Sequence, residues 1–314
     1  MSSRAQAHSL GGHVVGQRVV VRRVVRGETG PSGGPALTDV LGTCTAWADG
    51  VCVVVPDGPG AHEPVTIPIS DIVSGKPVPP RASTRMRVTP QEAQVRALAL
   101  WPDLETEPLG DWLLRRSPTA TARRANSVLA MTPSGLADAY ERVVAFYAGL
   151  GQRPIAAVLP DSAEDALFSE RGWVLESHDD HTVFQLTGVA AARRSLSGVT
   201  LPEAEVELVD AGDLVTAQVA SAGRVVAAGV AAYADDWVGF RGIEVAPEAR
   251  GRGLGLLVMS ELLGWGAERG ATTAYLQVLG DNTPALRLYA GLGFVEHHRY
   301  RYLAAPEPRS SGVA

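Results

Sequence analysis

Apolar residues recur at every second position in some stretches of this chain and at every third or fourth in others. Between residues 13 and 80 the strand period dominates. Four β-branched runs, Gln17–Val24, Thr38–Thr45, Val51–Val55 and Val65–Ile69, are separated by a Gly/Ser/Pro loop at 27–35 and by Asp-Gly pairs at Asp49-Gly50 and Asp57-Gly58. Short strands at this spacing predict a small five-stranded barrel. Lys76-Pro-Val-Pro-Pro80 closes it as a stiff linker.

From 90 to 187 the pattern is mixed. Pro90–Trp101 carries Glu92, Val95, Leu98 and Ala99 at helical spacing, and Leu136–Leu150 is an amphipathic helix stopped by Gly151. Leu109–Arg115 and Ala125–Ala130 read as adjacent strands and Ile155–Leu159 as a buried one. Ser162–Arg171 reads as a helix ended by Gly172, and Trp173–Glu176 with Thr182–Leu186 as a closing hairpin. Residues 188–203 read as a linker, and 204–305 as a third region that begins with a strand at Glu205–Leu208. Phe168-Ser-Glu-Arg-Gly-Trp-Val174 matches Tyr289-Ala-Gly-Leu-Gly-Phe-Val295 at a constant offset of 121, which points to an internal repeat.

The third region holds the chemistry. A strand through Val245 runs into Ala246-Pro-Glu-Ala-Arg250-Gly-Arg-Gly-Leu-Gly255 and then a helix. Gly251, Gly253 and Gly255 allow left-handed backbone and leave main-chain N–H groups uncovered, while Arg250 and Arg252 add positive charge beside the helix start near Leu254. This is a pyrophosphate cradle. It is not the dinucleotide fingerprint, which needs glycine at Leu256 or Val258, and not a Walker loop, because the only lysine is Lys76.

The run Val-x-Pro-x-x-Arg-Gly-x-Gly-x-Gly resembles the acetyl-CoA loop of the GCN5-related N-acetyltransferases, the GNAT family. The family's second signature follows in Ala274–Val278, Asn282, Ala285, Leu288, Tyr289, Gly293 and Phe294. The resemblance covers about residues 204–303. It implies an α+β GNAT fold, here in tandem, with the alternative that both stretches belong to one large fold. The 90–187 copy is degenerate, because Met131-Thr-Pro-Ser-Gly135 has one glycine and no arginine where the cradle belongs. The 13–80 module resembles an SH3-like barrel by pattern. The whole layout is similar to actinobacterial acetyltransferases.

By that resemblance, Val245, Arg250, Gly251, Arg252, Gly253, Leu254, Gly255 and Asn282 bind acetyl-CoA, with the Val245 main-chain N–H on the thioester carbonyl. Strands splayed between Val245 and Gln277 admit the pantetheine arm. Tyr289 is the expected general acid, its phenol staying neutral near pKa ~10 until a thiolate departs. Glu244 is the candidate base, beside the alternative of an ordinary carboxylate. Asn282 can also cap a helix. His297 and His298 can reach the pocket or lie on the surface. Asp235 and Asp236 can attract a cationic amine or form a solvated turn, and Trp237 can wall the pocket or sit in the core. Only 15 residues part Leu208 from Arg224, where the family has two helices that wall the acceptor site, so either the first copy supplies that wall or the site is unusually open.

Composition trims the alternatives. A net charge of −6 argues against nucleic acid as the main partner, although Arg18, Arg22, Arg23 and Arg26 form a locally basic strand. No apolar run is long enough to span a membrane, and Met1–Gly12 lacks a signal-peptide core. Cys44 and Cys52 fit neither a C-x-x-C nor a zinc pattern and are expected as two reduced core thiols in a cytoplasmic protein. No metal is expected. The reading is an N-acetyltransferase that moves acetyl from acetyl-CoA to a small-molecule or peptide amine by direct attack, as a monomer or homodimer. The alternatives are a non-catalytic binder of acetyl-CoA, peptide or RNA, and a transferase of another short acyl group.

Overall fold

The structure, a computed structural model, describes residues 10–30, 33–57, 63–78, 84–176, 181–199, 204–221 and 223–307. Gly58, the end of the expected Pro-rich linker, residues 200–203 and the tail beyond 307 lie outside them. The chain divides into two units, Met1–Ser83 and Thr84–Ala314.

The first unit is an antiparallel sheet of β1 (Arg18–Thr29), β2 (Pro35–Ala48), β3 (Val51–Pro56), β4 (Val65–Pro68) and β5 (Ile72–Pro77), in the order β4-β3-β2-β1-β5. Asp49 and Gly50 both take positive φ, at 52° and 76°, the two-residue turn that matches strand twist. Inward Val19, Val21, Cys44, Cys52, Val54 and Ile67 form its core. The two thiols are free and 3.9 Å apart, and burial above all pushes Cys52 up to about 12. Lys76 and Pro77 belong to β5, so this strand occupies the start of the expected linker. Three of the four arginines of the basic strand pair with neighbouring carboxylates: Arg18 with Asp57, Arg22 with Asp39 and Arg26 with Asp71.

The second unit opens with a 3-10 turn (Thr84–Arg87) and then α1 (Pro90–Arg96), fixed by Pro90 in its first turn and by a reciprocal capping box between Thr89 and Glu92. A 3-10 turn (Ala97–Leu100) extends it. The first lobe follows as β6 (Glu105–Leu109), β7 (Trp112–Arg116), β8 (Val128–Leu129), α2 (Ala139–Gly149), β9 (Ile155–Val158), α3 (Ala163–Glu170), β10 (Val174–Leu175) and β11 (Thr182–Gly188). Then come α4 (Val189–Leu196), β12 (Val206–Asp210), β13 (Leu214–Ser221), β14 (Arg224–Ala234), β15 (Trp237–Val245), α5 (Leu254–Glu268), β16 (Thr273–Leu279), α6 (Thr283–Gly291) and β17 (Val295–Ala304). The expected 188–203 linker thus begins as a helix, which buries Val189, Ala192 and Leu196.

One sheet runs through both lobes in the order β12-β13-β14-β15-β16-β11-β17-β9-β8-β7-β6. β10 and β11 do not form the expected hairpin. β11 leaves its own lobe and lies between β16 and β17, antiparallel to both. In return the end of β17 crosses into the first lobe, where Arg301–Ala304 pair with β9 and Leu303–Ala304 with β10. Each lobe therefore completes the other's ladder, which satisfies central backbone groups that would otherwise be buried without partners. Helices α2 and α3 pack on one side of the first lobe around Phe168, Tyr147 and Trp112. Helices α4 and α5 pack on the same side of the second lobe. The opposite face carries α1 and its 3-10 extension over Phe184, Leu186, Trp237 and Tyr275. Among the described residues no helix is long and apolar enough to cross a membrane.

The exchange makes the lobes one cooperative body. Phe168→Ala empties a fully buried site in the first lobe, at an expected cost of about 3–5 kcal/mol. Hydrogen-exchange mass spectrometry should then show protection falling in Thr273–Leu279 of the second lobe together with Ile155–Val158. Loss confined to the first lobe would contradict the coupling.

Candidate active site

The site begins where two strands stop pairing. β15 and β16 are parallel only from Trp237↔Thr273 to Phe240↔Leu276. Beyond that point Gly242, at φ 60°, makes a bulge against β14, so that Ala228 pairs with Glu244 and Val230 with Arg241. Arg241–Val245 stay with β14 while Gln277–Leu279 stay with β11. The gap between them leaves main-chain groups free on both sides. The Ala246 N–H points to β14, bonding the Val226 carbonyl at 2.9 Å. By strand alternation the Val245 N–H faces the gap.

Past Val245 the chain makes a 3-10 turn (Pro247–Ala249), then Gly251 at φ 75° and Gly253 at φ 80°, and enters α5 at Leu254. A left-handed conformation twice in three residues is why glycine occupies both places. The N–H groups of Gly251, Arg252, Gly253, Leu254 and Gly255 donate to no acceptor among the described residues. Five open donors at the positive end of a 15-residue helix form an anion cradle. Arg252 is exposed. Arg250 braces the loop, since its Nε donates to the Val245 carbonyl at 3.2 Å and ties the cradle to the strand.

A cleft of about 960 Å³ joins the gap to the cradle, lined by Glu244, Val245, Arg250 and Gly251 on one side and Asn282, Pro284, Ala285 and Leu288 on the other. Asn282 is the N-cap of α6, its Oδ1 accepting from the Ala285 N–H at 3.2 Å. Glu244 is exposed and forms no ion pair among the described residues. Tyr289 packs half-buried behind Leu288 with its ring edge-on to Phe294 at 5.8 Å. Its hydroxyl has no hydrogen-bond partner among the described residues, and burial pushes its pKa up to about 12. The phenol therefore stays protonated at physiological pH.

Other candidate residues go elsewhere. Asp235 and Asp236 sit at the far end of β15 from the gap and pair with Arg96, so they cannot draw an amine to the cleft. Trp237 is buried in the core under the Arg96 guanidinium. His298 is buried and His297 half-buried on the face that α1 and the residues just before it cover, and neither lines the cleft. The His297 Nε2 donates to the Val88 carbonyl at 3.0 Å, which leaves its Nδ1 to accept from the His298 Nδ1–H at 2.7 Å. The His298 Nε2 then accepts from the Gln94 amide at 3.1 Å. Burial first, and His297 second, lower His298 to about 3. On the opposite face of the sheet, α1 and its 3-10 extension, the start of the 90–187 stretch, bond to β15 and β16: the Tyr275 hydroxyl donates to the Arg96 carbonyl at 3.2 Å and the Arg241 Nε to the Leu100 carbonyl at 2.9 Å.

Residues 92–303 match the family described as "Probable histone acetyltransferase Rv0428c C-terminal". The protein of that name from Mycobacterium tuberculosis is 30% identical over 93% of this chain and 95% of its own length. The "Uncharacterized N-acetyltransferase YobR" of Bacillus subtilis is 28% identical over 65% of this chain and 95% of its length. Among solved structures, a GCN5-related N-acetyltransferase from Kribbella flavida superposes with a TM-score of 0.55 at 17% identity, covering 69% of this chain and 96% of that one. At that identity the match speaks for the fold.

The buried histidine has a pH signature. Unfolding restores His298 to near pKa ~6.5, so the unfolded state takes up a proton as pH falls through that value, while the folded state does not until about 3. Stability contributed by the neutral ring is whole above ~6.5 and declines by about 1.4 kcal/mol per pH unit below it. Denaturant titrations from pH 7 to 4 should show a shallower decline for His298→Gln than for the parent, and parallel curves would refute the assignment.

Proposed function

The chain belongs to the GCN5-related N-acetyltransferases, within the family named for Rv0428c, and from that premise we propose that it moves the acetyl group of acetyl-CoA to a primary amine by direct attack. The observation that carries this reading is the row of five unpaired N–H groups from Gly251 to Gly255 at the end of the strand gap. A pyrophosphate fits those donors, and an extended pantetheine arm fits the free backbone edges of the gap. We assign catalysis to the 204–305 lobe, and the acceptor wall to α1 with the 90–187 lobe.

Acetyl-CoA, when bound, supplies an activated thioester carbonyl. The residues of the chain do the rest. The Val245 N–H, held by a paired strand, donates to the carbonyl oxygen as that oxygen gains charge. Glu244, exposed on the strand beside it, takes the proton of the attacking amine directly or through water. Tyr289, with no competing acceptor, gives its proton to the departing sulfur. Arg252 meets the phosphates, and Arg250 holds the cradle in register with Val245. Asn282 contacts the pantetheine amide with the side-chain nitrogen that its capping role leaves free. The name of the M. tuberculosis relative puts protein lysine among the acceptors to try.

A thiol-release assay with acetyl-, propionyl- and succinyl-CoA over a panel of amines tests the reading. Tyr289→Phe should lower kcat by about 10²–10⁴ with little change in the KM for acetyl-CoA. Arg250→Glu/Arg252→Glu should instead raise that KM, by about tenfold or more for two reversed charges near the phosphates. Acetyl-CoA binding with no thiol release over the whole panel, and a silent Tyr289→Phe, would favour a non-catalytic binding protein.

A further inference from the structure

Three arginines on the α1 face of the sheet lack an anion. Arg115 is 2% exposed and spends its guanidinium on Ser127, with Nε donating to the carbonyl at 3.0 Å and Nη2 to Oγ at 2.8 Å. Arg241 lies against the Trp101 ring at 4.8 Å and bonds only the Leu100 carbonyl. Arg124 is half-buried, and its Nε donates to the Tyr300 hydroxyl at 3.2 Å. None of the three forms an ion pair among the described residues. Their neighbours do, since Arg123 pairs with Glu176, Arg96 with Asp235, and Arg301 with Asp165. A guanidinium held out of water without a counter-charge is costly, and the cost falls when an oxyanion arrives.

Topology brings Arg124 to the strand gap. β16 and β9 run in opposite directions, because each of the pairings β16–β11, β11–β17 and β17–β9 is antiparallel. β8 is parallel to β9, and β15 to β16. The residues that lead into β8 therefore reach the sheet edge where β15 and β16 part. Tyr300 lies level with Leu279, across β11. Its hydroxyl donates to the Gln277 Oε1, and Gln277 is the first β16 residue past the last pair with β15. Two hydrogen bonds thus connect Arg124 to the edge of the gap. Tyr300 is fully buried, whereas Arg124 and Gln277 remain partly open to solvent.

We propose that Arg124, positioned by Tyr300, binds an anionic oxygen group carried by the acceptor, so that the enzyme acetylates amines that are also acids. This rests on the acetyltransferase reading above and names its acceptor class. The planar fork of arginine suits a carboxylate or a phosphate. The same unneutralised charge disfavours a lysine-rich peptide, so the acceptor differs from a histone tail.

The experiment uses the full chain saturated with CoA for calorimetry, and with acetyl-CoA for thiol release. Each acid is paired with its uncharged-tail counterpart: ornithine with putrescine, tyrosine with tyramine, and both serine and O-phosphoethanolamine with ethanolamine, with a histone-tail peptide alongside. The acid of at least one pair should bind, and should exceed its counterpart in kcat/KM by about 10- to 100-fold, the worth of a charge-assisted hydrogen bond. The serine and phosphoethanolamine arms tell carboxylate from phosphate. Arg124→Met should collapse that ratio towards one, and Arg124→Lys should retain part of it, with the heat of CoA binding reporting that each variant is folded. Equal or better use of the neutral amines or the peptide, a ratio unmoved in Arg124→Met, or no binding of any acid to the CoA complex overturns the proposal. Failure of CoA itself to bind would instead overturn the acetyltransferase reading beneath it.

Discussion

Main-chain hydrogen bonding across the middle of the sheet is the constraint on which the second unit rests. β11 lies between two strands of the other lobe, and β17 spans from one lobe to the other. Neither lobe can close its own ladder. Withdrawing β11 would expose the inner edges of β16 and β17 at once, and with them a core in which Phe184 stacks on both Tyr275 and His298. Buried backbone polar groups without partners are expensive enough to make the exchange self-enforcing.

The site depends on the same bonding withheld at one place. Gly242 takes an unfavourable φ for any other residue and turns β15 away from β16 just after Phe240. The gap this opens holds unpaired donors on a rigid sheet, and the Gly251–Gly255 loop adds more at its mouth. Donors fixed by the fold need little reorganisation when an anion or a polarised carbonyl arrives, which is the condition for electrostatic stabilisation to be worth its full value. Arg250, bound to the Val245 carbonyl, links the cradle to the strand so that the two cannot drift apart.

Charge is distributed unevenly around this frame. Several arginines pair with a carboxylate across a strand or a loop, including Arg18, Arg22 and Arg26 of the basic strand in the first unit. The histidines are sealed neutral in a hydrogen-bonded chain under α1. Arg115, Arg124 and Arg241, on the α1 face of the sheet, have no carboxylate partner among the described residues, and Arg124 lies two hydrogen bonds from the strand gap.

The sequence by itself determined the local elements and the cradle. Asn282 before Thr-Pro-Ala, Gly251 and Gly253 ahead of an apolar helix, and the Asp49-Gly50 turn act over a few residues, and short-range sterics and capping fix them wherever the chain goes. The repeat of 121 residues was legible for the same reason, as each copy must cap and pack its own helix. Partner choice was not. Val174–Leu175 and Thr182–Gly188 have the same alternating pattern whether they pair with each other or with distant strands, because ladder bonds involve main chain common to every residue. The covering of His297 and His298 by α1, the pairing of Asp235 with Arg96, and the arrival of Arg124 beside Gln277 all depend on contacts between distant parts of the chain. They were decided only in the tertiary structure, where residues more than 100 positions apart meet.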